Sequence, residues 1–340
     1  MSSALSATAL AGGLAVVGLL AAGPASALLA RAEWPTRSPT VALVLWQAVC
    51  LCAGLSLTGA AVVIAVEPLD VRLPGALIAL LRNTFDGAPS RGMTGWQVLL
   101  LVIAALFAST LLAVLIRCLV LVVRRRRAHR EILDLLTMPA GTRPPGTVPD
   151  EVRILDHATP IAYGVPGWHT RLVLTAGLID LLSAPQLAAV VAHERAHLRS
   201  HHDLLLLPFQ AWAAALGRLP GVRAARDAVA TLAEMHADDA AARQVDPQTV
   251  ASALARVVLA GRPADQAAVP PDDRPANRAP ALPTGFPSEL PQVAGTAVVR
   301  RVRRLQHPHP LSGPAMIAGY LAAAVVLLAP TIVLFVGWRR

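Results

Sequence analysis

The chain has 340 residues, of which 55% are hydrophobic and only 15% are charged, and its formal net charge is +9. Soluble domains contain about 25% charged residues, so this composition predicts a membrane protein. All of the 30 basic residues are arginine, which excludes a Schiff-base lysine, a Walker-A lysine and a Ser-x-x-Lys nucleophile. The charge lies largely beside apolar segments without helix-turn-helix or zinc-finger spacing, so we expect no nucleic-acid partner.

Four segments are long and apolar enough to cross a bilayer, which takes about 20 residues of helix. They cover residues 4–30, 40–66, 96–123 and 314–336. The first segment has an alternative interpretation as a signal peptide, because Ala25-Ser26-Ala27 resembles a cleavage site. Its length and the lack of a charged region before it favour a membrane span.

Arginine clusters flank the region between the third and fourth segments. Arg124 to Arg127 precede this region, and Arg300, Arg301, Arg303 and Arg304 follow it. Such clusters lie on the cytoplasmic side of membrane proteins. A lysine-free composition rich in alanine and arginine is typical of GC-rich bacterial genomes. We therefore predict a multi-pass protein of a bacterial cell membrane, with the intervening region in the cytoplasm.

The intervening region contains an H-E-x-x-H motif at His193-Glu194-Arg195-Ala196-His197. Upstream, Ser183, Pro185 and Gln186 have the pattern of a capped helix start, which predicts that the motif lies on a helix. Residues four apart on a helix share a face, so both imidazoles can bind one metal ion. Glu194 lies beside them, placed to take a proton from water as a general base.

A second group of polar residues follows in the stretch 223–244, which contains no glycine or proline. Glu234 and Asp238 are four apart and share a helix face. We predict that Glu234 joins His193 and His197 as ligands of one catalytic Zn²⁺ ion, and that Asp238 orients a ligand histidine. In one alternative, Glu234 is a solvated helix residue and His236 or Asp239 is the third ligand; in a separate alternative, Asp238 is a surface charge.

Other parts of the region carry weaker signals. Residues 152–155 and 171–175 alternate like β-strands, and 161–165 between them is either an edge strand or a loop. We interpret His201, His202 and Asp203 as a polar helix face. The apolar run 204–216 is too short for a fifth span and predicts a buried or membrane-apposed helix.

These elements predict a mostly α protein: four transmembrane helices with a zincin-like α+β metallopeptidase domain between the third and fourth. The predicted parts are three transmembrane helices in 1–123, a cytoplasmic zinc peptidase domain in 124–260, a proline-rich linker in 261–292, and a basic juxtamembrane helix with the fourth transmembrane helix in 293–340.

The chain resembles the antirepressor-type membrane zinc metallopeptidases of beta-lactam-sensing regulators (BlaR/MecR-like), and more distantly the CAAX prenyl proteases. The resemblance rests on residues 192–198, on Asp203, on the Glu234 to Asp238 run and on the order of spans and domain. The penicillin-sensing relatives carry an extracellular sensor after the last span. This chain ends at Arg340 without that domain and has no Ser-x-x-Lys site, so we do not expect direct beta-lactam sensing.

We therefore predict a membrane zinc metalloendopeptidase whose partners are the lipid bilayer and a protein or peptide substrate at the cytoplasmic face. The resemblance implies that a transcriptional repressor is the substrate. The alternative is a non-catalytic membrane signal transducer that keeps zinc for structure. Glu194 argues against this alternative, because a structural zinc site needs no base. The sequence predicts no oligomeric state.

Overall fold

A computed structural model describes residues 6–70, 72–139, 152–165, 170–260 and 293–336. The proline-rich segment 261–292, predicted to be a linker, lies outside the described residues. The chain divides into two compact units, one from the described parts of 1–119, 204–233 and 310–340, the other from 120–203 and 234–309.

The described residues are mostly helical, as the sequence predicts. In chain order the helices are α1 (Ala7–Ala22), α2 (Pro24–Arg31), α3 (Trp34–Arg37), α4 (Pro39–Val66), α5 (Leu73–Phe85), α6 (Gly95–Leu136), α7 (Ala176–Leu181), α8 (Ala184–Arg199), α9 (His202–Leu216), α10 (Pro220–Ala242), α11 (Pro247–Ala260), α12 (Val293–Gln306) and α13 (Gly313–Val336). The strands are β1 (Thr137–Pro139), β2 (Val152–Leu155), β3 (Ala162–Val165) and β4 (Arg171–Thr175).

Four helical segments are long and apolar enough to cross a membrane: Ala7–Arg31, Pro39–Val66, Gly95–Arg124 and Gly313–Phe335. They agree closely with the four predicted spans, so this prediction is confirmed and the chain is a multi-pass membrane protein.

Within the first unit, α4 packs against both α1 and α13. Glycine allows the close approach of α1 and α4, because a Cβ atom on Gly18 would lie 2.7 Å from Cγ of Leu57. The apolar run 204–216 forms most of α9, which is not among the candidate spans of the described residues. Its Phe209 is buried and makes an edge-to-face contact with Trp46, as expected of a buried helix.

The second unit contains a four-stranded sheet in the order β1-β2-β4-β3. Strands β2 and β4 are parallel, and β1 and β3 pair antiparallel at the two edges. The predicted strands 152–155 and 171–175 are β2 and β4, and the segment left open in the sequence forms the edge strand β3. The buried side chains of Leu174, Leu178 and Val191 join β4, α7 and α8 in one core.

The motif helix α8 begins as its sequence predicts, because the Ser183 backbone N–H donates to Oε1 of Gln186 at 3.1 Å. On its other side, α8 packs in a cluster with α10, α11 and α12, which includes Ala192, Val250 and Leu305. This packing places α12, which follows the proline-rich segment in sequence, in the same cluster as the motif helix.

Candidate active site

Three side chains of the second unit converge on one point. His193 and His197 come from α8, and Glu234 comes from α10. The Nε2 atoms of the two histidines are 3.1 Å apart. Each is 3.5 Å from one of the two carboxylate oxygens of Glu234. The three groups can thus offer their ligand atoms to one ion, since these atoms all lie within 4.8 Å of one another.

The spacing of these atoms fits zinc. Nitrogen and carboxylate ligands lie about 2.1 Å from zinc, so two ligands of a tetrahedral ion are about 3.4 Å apart. The two imidazole nitrogens, 3.1 Å apart, are close to this value, and each of them lies 3.5 Å from a different oxygen of the Glu234 carboxylate. Two imidazoles and one carboxylate are also a donor set that catalytic zinc sites use, with the fourth position left open.

Glu194 is fixed beside this group by the edge strand. Its Oε2 accepts a hydrogen bond from the backbone N–H of Gly164 on β3 at 3.2 Å. The close approach of strand and helix requires glycine, because a Cβ atom at position 164 would lie 2.7 Å from Cγ of Leu198. Burial raises the pKa of Glu194 to about 7, although the positive charge of His193 opposes the shift. A carboxylate with such a pKa can accept a proton at neutral pH and return it.

Asp238 lies behind His193 as seen from the ligand group. Its Oδ1 is 3.1 Å from Nδ1 of His193, which leaves Nε2 of His193 facing the other ligands. Arg301 on α12 holds the same carboxylate, with Nε 2.7 Å from Oδ2 and Nη2 2.8 Å from Oδ1. The third nitrogen of Arg301, Nη1, lies 3.0 Å from Oε2 of Glu234. One guanidinium therefore connects two of the predicted site carboxylates.

The charges around the ligand group are mutually dependent. Burial lowers the pKa of His193, but hydrogen bonds with Asp238 and Glu234 outweigh it and raise the pKa to about 10. Burial raises the pKa of Glu234, but the hydrogen bond with His193 and the charge of Arg301 hold the pKa of this carboxyl well below its usual range. Burial lowers the pKa of His197 to about 4, so this imidazole is neutral at pH 7. In the metal-free site, the proton on His193 offsets the negative charge of Glu234 and Asp238. A bound cation would take over this role.

The two residues considered as alternative third ligands lie elsewhere. Nδ1 of His236 is 3.0 Å from Nε2 of His202, and Oδ2 of Asp239 accepts from Nη2 of Arg304 at 2.6 Å. Neither belongs to the three-residue group whose ligand atoms converge among the described residues.

The interpretation of His201, His202 and Asp203 as one polar helix face is wrong for His202. Its side chain is buried, and its Nδ1 lies 2.8 Å from Nδ1 of His197. The helix ends at Arg199, and His201 adopts a left-handed backbone conformation with φ of 46°. This turn leaves His201 exposed and directs His202 inward.

Sequence reasoning also missed Arg301 and Gly164. The arginines of α12 were all interpreted as membrane-flanking charges. A signal was present, because Val298, Arg301, Val302 and Leu305 occupy the i, i+3, i+4 and i+7 positions of one helix face. An arginine on such an apolar stripe needs a buried partner. No comparable signal marks Gly164.

The comparison with known protein families agrees with this arrangement. Residues 123–313 match the model of Peptidase family M48. The match covers 191 of the 340 residues, and the chain therefore belongs to this family. Members are zinc-dependent peptidases that act on protein substrates. With its four apolar helices, the chain is a membrane metallopeptidase. No solved structure matches it.

Proposed function

We propose that the chain is a zinc metalloendopeptidase of the H-E-x-x-H type with glutamate as third ligand. His193, His197 and Glu234 hold a single catalytic zinc ion, and Glu194 is the general base. The proposal is carried by the convergence of the three ligand atoms within 4.8 Å. It is supported by Glu194, whose carboxylate is fixed beside them through Gly164.

A zinc ion held there would polarise the substrate carbonyl and lower the pKa of the attacking water. Glu194 accepts a proton from that water and then transfers it to the leaving nitrogen. Asp238 accepts a hydrogen bond from Nδ1 of His193, which fixes the ring so that the Nε2 lone pair faces the ion. Arg301 in turn fixes Asp238.

The edge strand β3 supports an extended substrate. It pairs with β4 on one side and packs against α8. Peptides add to such strands through backbone hydrogen bonds. A substrate segment paired with β3 passes Glu194, because Gly164 of this strand is the group that binds the Glu194 carboxylate.

The location and the biological substrate are further parts of the proposal. The arginines that flank the peptidase region support a cytoplasmic site, as part of a bacterial cell membrane protein. The layout of spans and domain supports a BlaR/MecR-like role in which the substrate is a transcriptional repressor of a signalling pathway. This step rests on resemblance to that family.

The test compares two variants of the full-length protein in detergent. Glu194→Gln should keep one zinc ion per chain while its rate of proteolysis falls by about 10²–10⁴-fold. Glu33→Gln makes the same chemical change at an exposed position of the first unit and should leave both unchanged. Full proteolysis by Glu194→Gln contradicts the assignment of the base. Two results together would favour the non-catalytic transducer. The wild-type protein would bind zinc without cleaving any substrate, and Glu194→Gln would signal normally in cells.

A further inference from the structure

A cavity of about 160 Å³ lies next to His193 and Glu194 in the second unit. These two residues, with Glu234, Asp238 and Arg301, form its polar end. The rest of its wall is aliphatic and comes from four elements. These wall residues are Ala162 of β3, Leu178 of α7, Ala189 and Val190 of α8, and Val250, Ala253, Leu254 and Val257 of α11.

The wall is held in place by packing and by hydrogen bonds. Gln186 at the start of α8 donates to Oγ of Ser252 at 3.0 Å and accepts from Nη1 of Arg256 at 3.0 Å. Both partners lie on α11, so this helix is fixed against α8. Val250 and Ala253 are fully buried, whereas Leu254 and Val257 are half-buried. The cavity is therefore a defined space and not a gap between independent segments.

The charged groups at the polar end are engaged with one another. Nε and Nη2 of Arg301 bind Asp238, and Nη1 binds Glu234. Each nitrogen of this guanidinium already faces a carboxylate oxygen of the site, so its positive charge is balanced there. A charged group that entered the aliphatic part would lose its hydration without gaining a partner, which is strongly unfavourable. The cavity thus selects for apolar occupants.

We propose that this cavity is a subsite for one apolar side chain of the substrate, of leucine to phenylalanine size, next to the scissile bond. The inference rests on the proposed peptidase function of the same site. The position follows from the shared residues: His193 and Glu194 line the cavity and are also the ligand and the base of the proposed catalytic site. Its size fits, because an apolar cavity of about 150 Å³ holds a benzene ring.

The expected selectivity has a defined magnitude. One methylene group in an apolar pocket changes specificity about 10- to 200-fold. Replacing leucine by alanine at this substrate position should therefore lower kcat/KM by at least about tenfold. Aspartate and arginine should be poorer still. Serine should resemble alanine, because it fills no more of the cavity.

A binding experiment tests the subsite without relying on catalysis. The probes are the hydroxamates of alanine, leucine, phenylalanine and aspartic acid, whose chelating group binds zinc in the zinc-loaded, full-length protein. The leucine and phenylalanine compounds should bind at least about tenfold more tightly than the alanine compound. Equal affinity for all four compounds would overturn the proposal.

Three variants of α11 locate the effect in the cavity. Ala253→Leu fills the space and should abolish the preference for leucine over alanine hydroxamate. Leu254→Ala enlarges it and should move the preference toward phenylalanine. Ala255→Leu is the matched control, since Ala255 does not line this cavity. A preference that both wall variants leave unchanged would refute the assignment, and should Ala253→Leu fail to fold, Leu254→Ala decides alone.

Cleavage of a peptide mixture separates this inference from the proposed function. Peptides from a proteome digest are incubated with wild-type protein and with Glu194→Gln, and new ends are identified by mass spectrometry. Glu194-dependent cleavage with an apolar residue enriched at one position beside the bond supports both proposals. Glu194-dependent cleavage without such enrichment removes the subsite alone. Absence of any Glu194-dependent cleavage removes the peptidase assignment and with it the substrate subsite, and the hydroxamate affinities then report only whether the cavity binds apolar groups.

Discussion

Arg301 binds Asp238 through two parallel hydrogen bonds, from Nε to Oδ2 at 2.7 Å and from Nη2 to Oδ1 at 2.8 Å. The two residues are 63 positions apart in the chain and both are buried. Bidentate pairs of this kind fix orientation as well as charge. Through Asp238, the helix α12 therefore determines how His193 is held.

Replacing Arg301 tests this connection. Arg301→Ala leaves the Asp238 carboxylate buried without its partner, which should cost about 3–5 kcal/mol in the free energy of unfolding. The affinity for zinc should fall by about 10- to 100-fold, because the outer hydrogen bonds of a ligand histidine tune its affinity. Chemical denaturation and competition with a zinc chelator measure the two effects.

The controls for this prediction separate charge from geometry. Arg300→Ala removes an exposed neighbouring arginine and should change neither quantity. Arg301→Lys keeps the charge but cannot form two parallel bonds, so zinc affinity should be only partly restored. Full zinc affinity in Arg301→Ala would show that α12 does not support the site.

Zinc binding should release a proton from His193. In the metal-free protein, burial opposes protonation of His193, but the hydrogen bonds with Asp238 and Glu234 raise its pKa to about 10. Because this pKa is above the ordinary value of about 6.5, the proton stabilises the metal-free fold fully below pH 6.5, and this stabilisation is lost as the pH rises toward 10. Zinc must displace the proton. Its affinity should therefore rise about tenfold per pH unit between pH 7 and 9.

Calorimetry in buffers of different ionisation enthalpy counts the released protons directly. We expect about one proton per zinc ion at pH 7.5. Asp238→Asn removes one of the two groups that raise the pKa of His193, so it should release fewer protons. A zinc affinity independent of pH, after correction for the buffer, would contradict the prediction that His193 is protonated in the metal-free protein and loses this proton when zinc binds.

The parts of the site that the sequence predicts are those that depend on local geometry. His193 and His197 share a helix face because they are four residues apart, and the same argument applies to Glu234 and Asp238. The membrane helices follow from length and hydropathy alone.

The parts that sequence reasoning missed depend on tertiary packing. Gly164 reaches Glu194 across 30 residues of chain because an edge strand lies along a helix. Arg301 reaches Asp238 because α12 packs against α11, an arrangement that no local pattern specifies. The interpretation of His202 was wrong because a turn with a left-handed residue at His201 separates it from the motif helix and directs its side chain inward.

His202 should be needed for zinc binding by His197. A neutral His197 that offers Nε2 to the ion carries its proton on Nδ1, which then donates to Nδ1 of His202 at 2.8 Å. His202 must then carry its own proton on Nε2 and donate to Nδ1 of His236 at 3.0 Å. His202→Leu removes the acceptor, and zinc affinity should fall by about 10- to 100-fold.

The neighbouring residue provides the control for this prediction. His201→Leu changes an exposed side chain and should leave zinc affinity unchanged. His202→Asn retains a hydrogen-bond acceptor and should recover part of the affinity. If His202→Leu binds zinc as tightly as the wild type, the tautomer of His197 is fixed by other groups.

The orientation of the peptidase region can be measured independently of its chemistry. The arginine clusters predict that this region is cytoplasmic and that the loop before α6 faces outward. In a chain whose Cys50, Cys52 and Cys118 are replaced by alanine, Ser90→Cys should react with a membrane-impermeant maleimide on intact cells. Gln248→Cys lies at an exposed position on α11 and should react only after the membrane is permeabilised. The reverse labelling pattern would place the site outside the cell and exclude a cytoplasmic repressor as its substrate. The predicted pattern would leave proteins at the inner membrane face as the accessible substrates.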